Sequence, residues 1–119
     1  MREKIPKCKI WIEFHDHVVF GAGRLELFQA IEECGSINKA AAKLGMSYRA
    51  AWGKINATEQ FLGVKLIDKH VGGAQSGSEL TDTAKKLVRA FIDFKEESIR
   101  TIDQLYEKYF KDIILQKTE

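Results

Sequence analysis

The chain is poor in several residue types, and each scarcity excludes something. Its 119 residues include one proline, Pro6, two cysteines, Cys8 and Cys34, and three histidines, His15, His17 and His70. A single proline and an apolar content of 45% argue against a disordered or collagen-like chain. Two isolated cysteines make neither a disulfide framework nor a zinc cluster, which suits a reducing compartment; Cys34 is read as a helix-end residue and Cys8 as ordinary. No Ser, Cys or carboxylate stands at a spacing that suggests a nucleophile and its base, so no enzyme and no cofactor are expected. His15-Asp16-His17 has metal-ligating residue types, but a hairpin tip makes two solvated histidines just as readily, and no metal site is assigned. The start has no apolar signal region, and no apolar run approaches the roughly 18 residues of a membrane span. The expectation is a cytoplasmic protein with no membrane contact.

What is present is charge, distributed unevenly. The net charge is only +2. Residues 36–71 nevertheless carry Lys39, Lys43, Arg49, Lys54, Lys65 and Lys69 against Glu59 and Asp68, whereas residues 11–35 are net negative and residues 82–119 are balanced. The length fits one domain of ordinary size with an appendage, and no internal repeat is visible.

Residues 36–62 read as a helix, a tight glycine turn and a second helix. Ser36 and Ser47 are placed to cap the two helices, each offering an oxygen to an otherwise orphaned backbone N–H, and Gly45 supplies the left-handed residue that closes the first. Ala40 and Ala41 leave little bulk on the first helix, so the second can cross it closely. On the second helix Ala51, Ile55, Thr58 and Leu62 are spaced to face inward, with Trp52 flanking them. Arg49, Gly53, Asn56 and Gln60 form the opposite stripe, with Ser47, Tyr48, Ala50 and Lys54 beside it. Arg and Asn can bond guanine and adenine edges in bidentate fashion, and Ser or Tyr hydroxyls suit phosphate oxygens. Gly53 in mid-helix costs about 1 kcal/mol relative to Ala. Either a backbone or a DNA sugar approaches there, or the instability is simply tolerated.

The flanking segments complete an architecture. Between Lys9 and Phe20 two β-rich runs break at His15-Asp16, as in a β-hairpin, and a helix from about Arg24 to Cys34 ends at Gly35. After Gly63, residues 64–71 read as a strand, 72–78 as a glycine- and serine-rich loop, and Glu79-Leu80 as a returning strand: the wing of a winged helix. Gln75 and Ser76 in that loop, with Lys65, Lys69 and His70 at its base, suit a phosphate backbone, although a glycine-rich loop is equally compatible with a disordered connector. The loop lacks the Gly-Lys-Ser ending of a nucleotide-binding loop. From Ala84 to about Leu115 no Gly or Pro stops a helix of roughly 30 residues. Its apolar residues Val88, Ile92, Ile99, Ile102, Tyr106, Tyr109 and Ile113 recur in a three-four alternation interrupted at Lys95. Two-fold self-association would cover this stripe, and a bend near Glu96-Glu97-Ser98 that folds the helix back is the competing arrangement.

The segment Ser36 to Gln60, above all Met46-Ser47-Tyr48-Arg49-Ala50-Ala51-Trp52-Gly53-Lys54-Ile55-Asn56, resembles the N-terminal DNA-binding domain of the molybdate-responsive ModE regulators. The hairpin, the wing, the Leu80-Thr81-Asp82-Thr83-Ala84 helix start and the long final helix are similar to that family's layout from residue 9 to about 110, and the remainder also resembles the winged helix of LysR-type regulators. The resemblance implies a homodimer on a palindromic operator of double-stranded DNA, with the reader helix in the major groove, the wing along the backbone and dimer contacts through the terminal helix. Family members that sense molybdate carry oxyanion-binding domains after this unit. None follows within these residues, so direct sensing is not expected; a separate effector protein or constitutive action stays open.

The expectation is thus a mainly α fold with little β: a winged helix-turn-helix with an N-terminal hairpin over residues 1–80, and a long dimerisation helix over 81–119. The candidate DNA-binding residues are Ser47, Tyr48, Arg49, Ala50, Gly53, Lys54, Asn56, Lys69, Gln75 and Ser76. A protein-interaction module or a non-specific DNA-binding protein on the same fold is the alternative.

Overall fold

A computed structural model describes residues 5–70 and 77–114. In chain order the elements are β1 (Ile12–Phe14), β2 (His17–Phe20), α1 (Ala22–Cys34), α2 (Ile37–Lys43), α3 (Tyr48–Leu62), β3 (Ile67–His70), β4 (Gly77–Leu80) and α4 (Asp82–Phe110). The mainly helical winged architecture expected from the sequence is the one observed. The described residues fall into two compact units, one within 11–91 and the other combining 5–10 with 92–114.

The first unit begins with a hairpin whose two-residue turn places His15 and Asp16 at φ 50° and 64°. Positive φ at both central positions suits the right-handed twist of the paired strands, at a steric cost for residues that are not glycine. The pairing slips by one residue between Ile12 and Glu13, opposite Val19. This irregularity breaks the in-out alternation, so that Val19 and Phe20 are both buried. Phe20 then stacks on Phe28 of α1 and meets Phe91 of α4 edge-on, with ring centroids 5.8 and 5.1 Å apart. Leu25, Leu27, Phe28, Ala30 and Ile31 give α1 its buried face. Gly35 ends the helix at φ 79°, its N–H donating to the Ile31 carbonyl.

The helix-turn-helix follows from its caps. Ser36 Oγ accepts from the Lys39 N–H at 3.1 Å, and Ser47 Oγ accepts from the Ala50 N–H at 3.0 Å. Gly45 is left-handed at φ 71°. Ala40 and Ala41 are buried, as a close crossing of α2 and α3 requires. Outside this core, Lys43 Nζ lies 2.9 Å from Glu33 Oε2, and that hydrogen bond and charge raise the lysine above its ordinary pKa. Both groups are well exposed, so the pair contributes little to stability.

Three local expectations are corrected. Leu62 is 41% exposed, and the hairpin packs on Phe61 in its place: the His17 ring stacks on Phe61 at 5.1 Å, and Phe14 meets it edge-on at 6.1 Å. The first wing strand starts at Ile67 and not at Val64, because the Glu59 carboxylate accepts from the Leu66 and Ile67 N–H groups at 2.8 and 3.2 Å and turns the chain there. Gly77 and Ser78 belong to strand β4 and not to the loop, and the Ser78 N–H donates to the Gly35 carbonyl at 2.8 Å.

The last helix is capped by Thr81, whose Oγ1 accepts from the Ala84 N–H and donates to the Lys65 carbonyl. Ala84, Val88 and Phe91 are buried in the first unit. Beyond them, Phe94, Ile99, Leu105, Tyr109, Phe110 and Ile113 are exposed in the second. Among the described residues, no helix is long and apolar enough to cross a membrane.

Candidate nucleic-acid interface

Ala51, Ile55 and Thr58 anchor α3 in the core, and this fixes which residues it shows outward. Ser47, Tyr48, Arg49, Ala50, Gly53, Lys54, Asn56 and Gln60 are all exposed. The helix is held at its inner face by a buried polar junction. Thr58 Oγ1 donates to the Val19 carbonyl at 2.9 Å, with the Lys54 carbonyl at 3.1 Å, and accepts from Arg24 Nε at 2.9 Å. Partial burial pushes the Arg24 guanidinium below its ordinary pKa. One hydroxyl therefore ties the hairpin, α1 and α3 together.

At the N-terminal end of α3 the structure brings the reader helix and the wing into contact. Lys69 Nζ on β3 donates to the Tyr48 hydroxyl at 2.9 Å. The same ammonium lies 4.3 Å from the centre of the half-buried Trp52 ring and 5.6 Å from that of Tyr48. Both separations are within cation–π range. Further along, Asn56, Gln60, Lys65 and Lys69 line an open hollow of about 510 Å³ between α3 and β3, with Trp52 and Glu59 in its wall. Asn56, Gln60, Lys65 and Lys69 bring amide donors and two positive charges to this hollow beside the outward stripe of α3, with the Glu59 carboxylate among them. Such a surface can hold a polyanion by its phosphates while a helix face reads its interior.

At Gly53 an added Cβ would meet nothing within 4 Å among the described residues, so none of their backbone explains this glycine. Of the ten candidate residues, Tyr48 and Lys69 are joined directly. Ser47, Arg49, Ala50, Gly53, Lys54 and Asn56 share the exposed surface of α3 and its cap. Gln75 and Ser76 lie outside the described residues. Two residues play larger parts than their sequence positions suggested. Trp52 was placed as a flank of the inward stripe and serves as the platform beneath Lys69; its spacing of four from Tyr48, which puts both rings on one side of a helix, was the available signal. Glu59 counted only as an opposing charge and sets where the wing begins.

A two-helix unit with a capped, exposed second helix, followed by an antiparallel wing, defines a winged helix-turn-helix protein of the DNA-binding type. Residues 23–85 match the family described as bacterial regulatory helix-turn-helix protein, lysR family, and the chain belongs to that family. It is a family of regulators and not of enzymes. The chain is 35% identical over 86 residues to the molybdenum transport protein ModE of Azotobacter vinelandii, covering 71% of this chain and 32% of that protein. It is 39% identical over 72 residues to the molybdenum-pterin-binding protein MopB of Rhodobacter capsulatus, covering 60% and 27%. It thus spans about a third or less of the length of these curated relatives. Among solved structures, the DNA-binding domain of CbnR in complex with DNA is similar at a TM-score of 0.54 and 26% identity, covering 72% of this chain and 94% of that one.

Proposed function

We propose that this chain is a sequence-specific DNA-binding transcription regulator of the ModE-like kind, working in the cytoplasm as a homodimer on a palindromic operator. The observation that carries this reading is the outward face of α3, where Arg49 and Asn56 stand on a helix rigidly seated by Ala51, Ile55 and Thr58 beside a cationic wing base. Arg49, Asn56, Ala50 and Gly53 meet the base edges and sugars. Ser47, Tyr48, Lys54 and Lys69 meet phosphates, and Gln75 and Ser76 extend the backbone contact along the wing. The division into residues 1–80 for reading DNA and 81–119 for pairing is part of the proposal.

Supporting the dimer is the exposed apolar run Phe94, Ile99, Leu105, Tyr109, Phe110 and Ile113, together with an open groove of about 520 Å³ lined by Ile10, Phe94, Ser98 and Ile102. A second copy covers such a stripe by two-fold symmetry. Ile99→Glu is expected to convert the dimer to a monomer in light scattering while leaving the helical content unchanged; a dimer that persists removes the terminal helix from the interface.

The test of function is selection of fragmented genomic DNA by the wild type and by Arg49→Ala, sequenced in parallel. An enriched palindrome, with half-sites about 34 Å apart or a multiple of it, is expected from the wild type. Arg49→Ala should lose about 1–3 kcal/mol of discrimination at one position of each half-site. Enrichment of no sequence would refute sequence-specific reading. Repeating the selection with cell extract reads whether a separate effector protein changes the choice of site.

A further inference from the structure

The contact between Lys69 and Tyr48 changes what either residue can do. An ammonium has three N–H groups and no acceptor, and a phenol has one O–H and an oxygen that accepts. With Lys69 Nζ donating to Tyr48 Oη at 2.9 Å, the phenol's own hydrogen is directed elsewhere, and the adjacent positive charge makes that O–H a stronger donor. The Trp52 ring, 4.3 Å from Nζ, holds the ammonium from below by its electron-rich face. Both Tyr48 and Lys69 are exposed, so the two donors open on solvent together. Tyr48 stands at the start of α3 and Lys69 on β3, which places this pair at the junction of reader helix and wing.

We infer that Tyr48 and Lys69 form a single seat for one phosphodiester of duplex DNA, floored by Trp52, and are not two independent backbone contacts. The phosphate takes the Tyr48 O–H on one oxygen and a Lys69 N–H on the other. Lys69 is also the positioning residue that fixes the phenol's direction. One DNA phosphate thereby locks the register of the reader helix against that of the wing. The inference rests on the DNA-binding reading above, and the experiment separates the two.

The experiment uses the full chain and the operator found by selection, in a double-mutant cycle of Tyr48→Phe and Lys69→Met read by fluorescence anisotropy. Each single variant should lose about tenfold or more in affinity, the cost of a hydrogen bond to a charged group, and the double variant should lose little more than the worse single. The log-log salt dependence should shallow by about 1.8 in Lys69→Met, about 0.9 for each protomer of the dimer, and stay unchanged in Tyr48→Phe. Lys69→Arg should recover part of the loss. Replacing operator phosphates one at a time by neutral methylphosphonates should then reveal one position in each half-site to which the wild type is sensitive and both variants are not. Additive losses, or different sensitive phosphates for the two variants, would overturn the single seat. A loss in Lys69→Met spread over many phosphates would reduce the lysine to a wing strut and likewise overturn it. Wild-type protein that binds no duplex at any salt would instead sink the DNA-binding reading itself.

Discussion

Replacing Thr58 by valine exchanges one buried oxygen for a methyl group of nearly the same volume, so the change leaves no cavity and isolates the hydrogen bonds. Thr58 is fully buried, donating to the Val19 carbonyl and accepting from Arg24 Nε, both at 2.9 Å. A buried polar group that loses its partner costs about 1–3 kcal/mol. The Val19 carbonyl is deep and should incur most of that, whereas Arg24 is only part-buried and can recover water. Thr58→Val should therefore destabilise the protein by about 2–4 kcal/mol. Thr58→Ser keeps the hydroxyl and gives up one methyl group, at about 1 kcal/mol. The expected order is thus the reverse of what side-chain volume alone dictates. Urea unfolding followed by circular dichroism measures both. Arg24→Met, alone and combined with Thr58→Val, should show a coupling of about 1 kcal/mol through the shared bond. Thr58→Val within about 0.5 kcal/mol of the wild type, or less damaging than Thr58→Ser, would show that the junction of hairpin, α1 and α3 is held by packing and not by its hydroxyl.

Glu59→Ala removes the acceptor for the Leu66 and Ile67 N–H groups and should raise hydrogen exchange at those two amides selectively, with a stability loss of about 2 kcal/mol; unchanged protection there would mean that the wing sets its own start. Gly77→Ala places a Cβ 2.6 Å from the Gly35 carbonyl oxygen, with backbone on both sides, and should cost more than about 1 kcal/mol in thermal denaturation while disrupting the Ser78–Gly35 hydrogen bond. Gly53→Ala enters open space and should raise stability by about 0.5–1 kcal/mol while weakening operator binding. Stability gained with affinity unchanged would assign Gly53 to tolerated instability.

Much of the helix-turn-helix was legible because its determinants are local. A serine oxygen meets an N–H three residues on, a glycine takes a left-handed turn, and a stripe of period 3.6 selects a face. For that reason Ser36, Gly45, Ser47, Ala51 and Ile55 occupy the roles their sequence spacing assigned. The misreadings fall where partners are distant in sequence. Leu62 and Phe61 are equally apolar neighbours at a helix end, and only the hairpin, arriving from more than forty residues earlier, selects Phe61 for cover. The start of β3 is fixed by a carboxylate one helical turn before the end of α3, which no strand propensity encodes.

The candidate site divides in the same way. Apart from Leu62, which residues α3 presents to solvent followed from the sequence alone, since burying Ala51, Ile55 and Thr58 leaves Arg49, Gly53, Asn56 and Gln60 outside by helical geometry. The joining of Lys69 to Tyr48 and Trp52 across the turn between helix and wing was decided only by the tertiary structure. Side-chain periodicity is a property of a single element, whereas a hydrogen bond between elements requires the packing of all of them to bring two atoms within 3 Å.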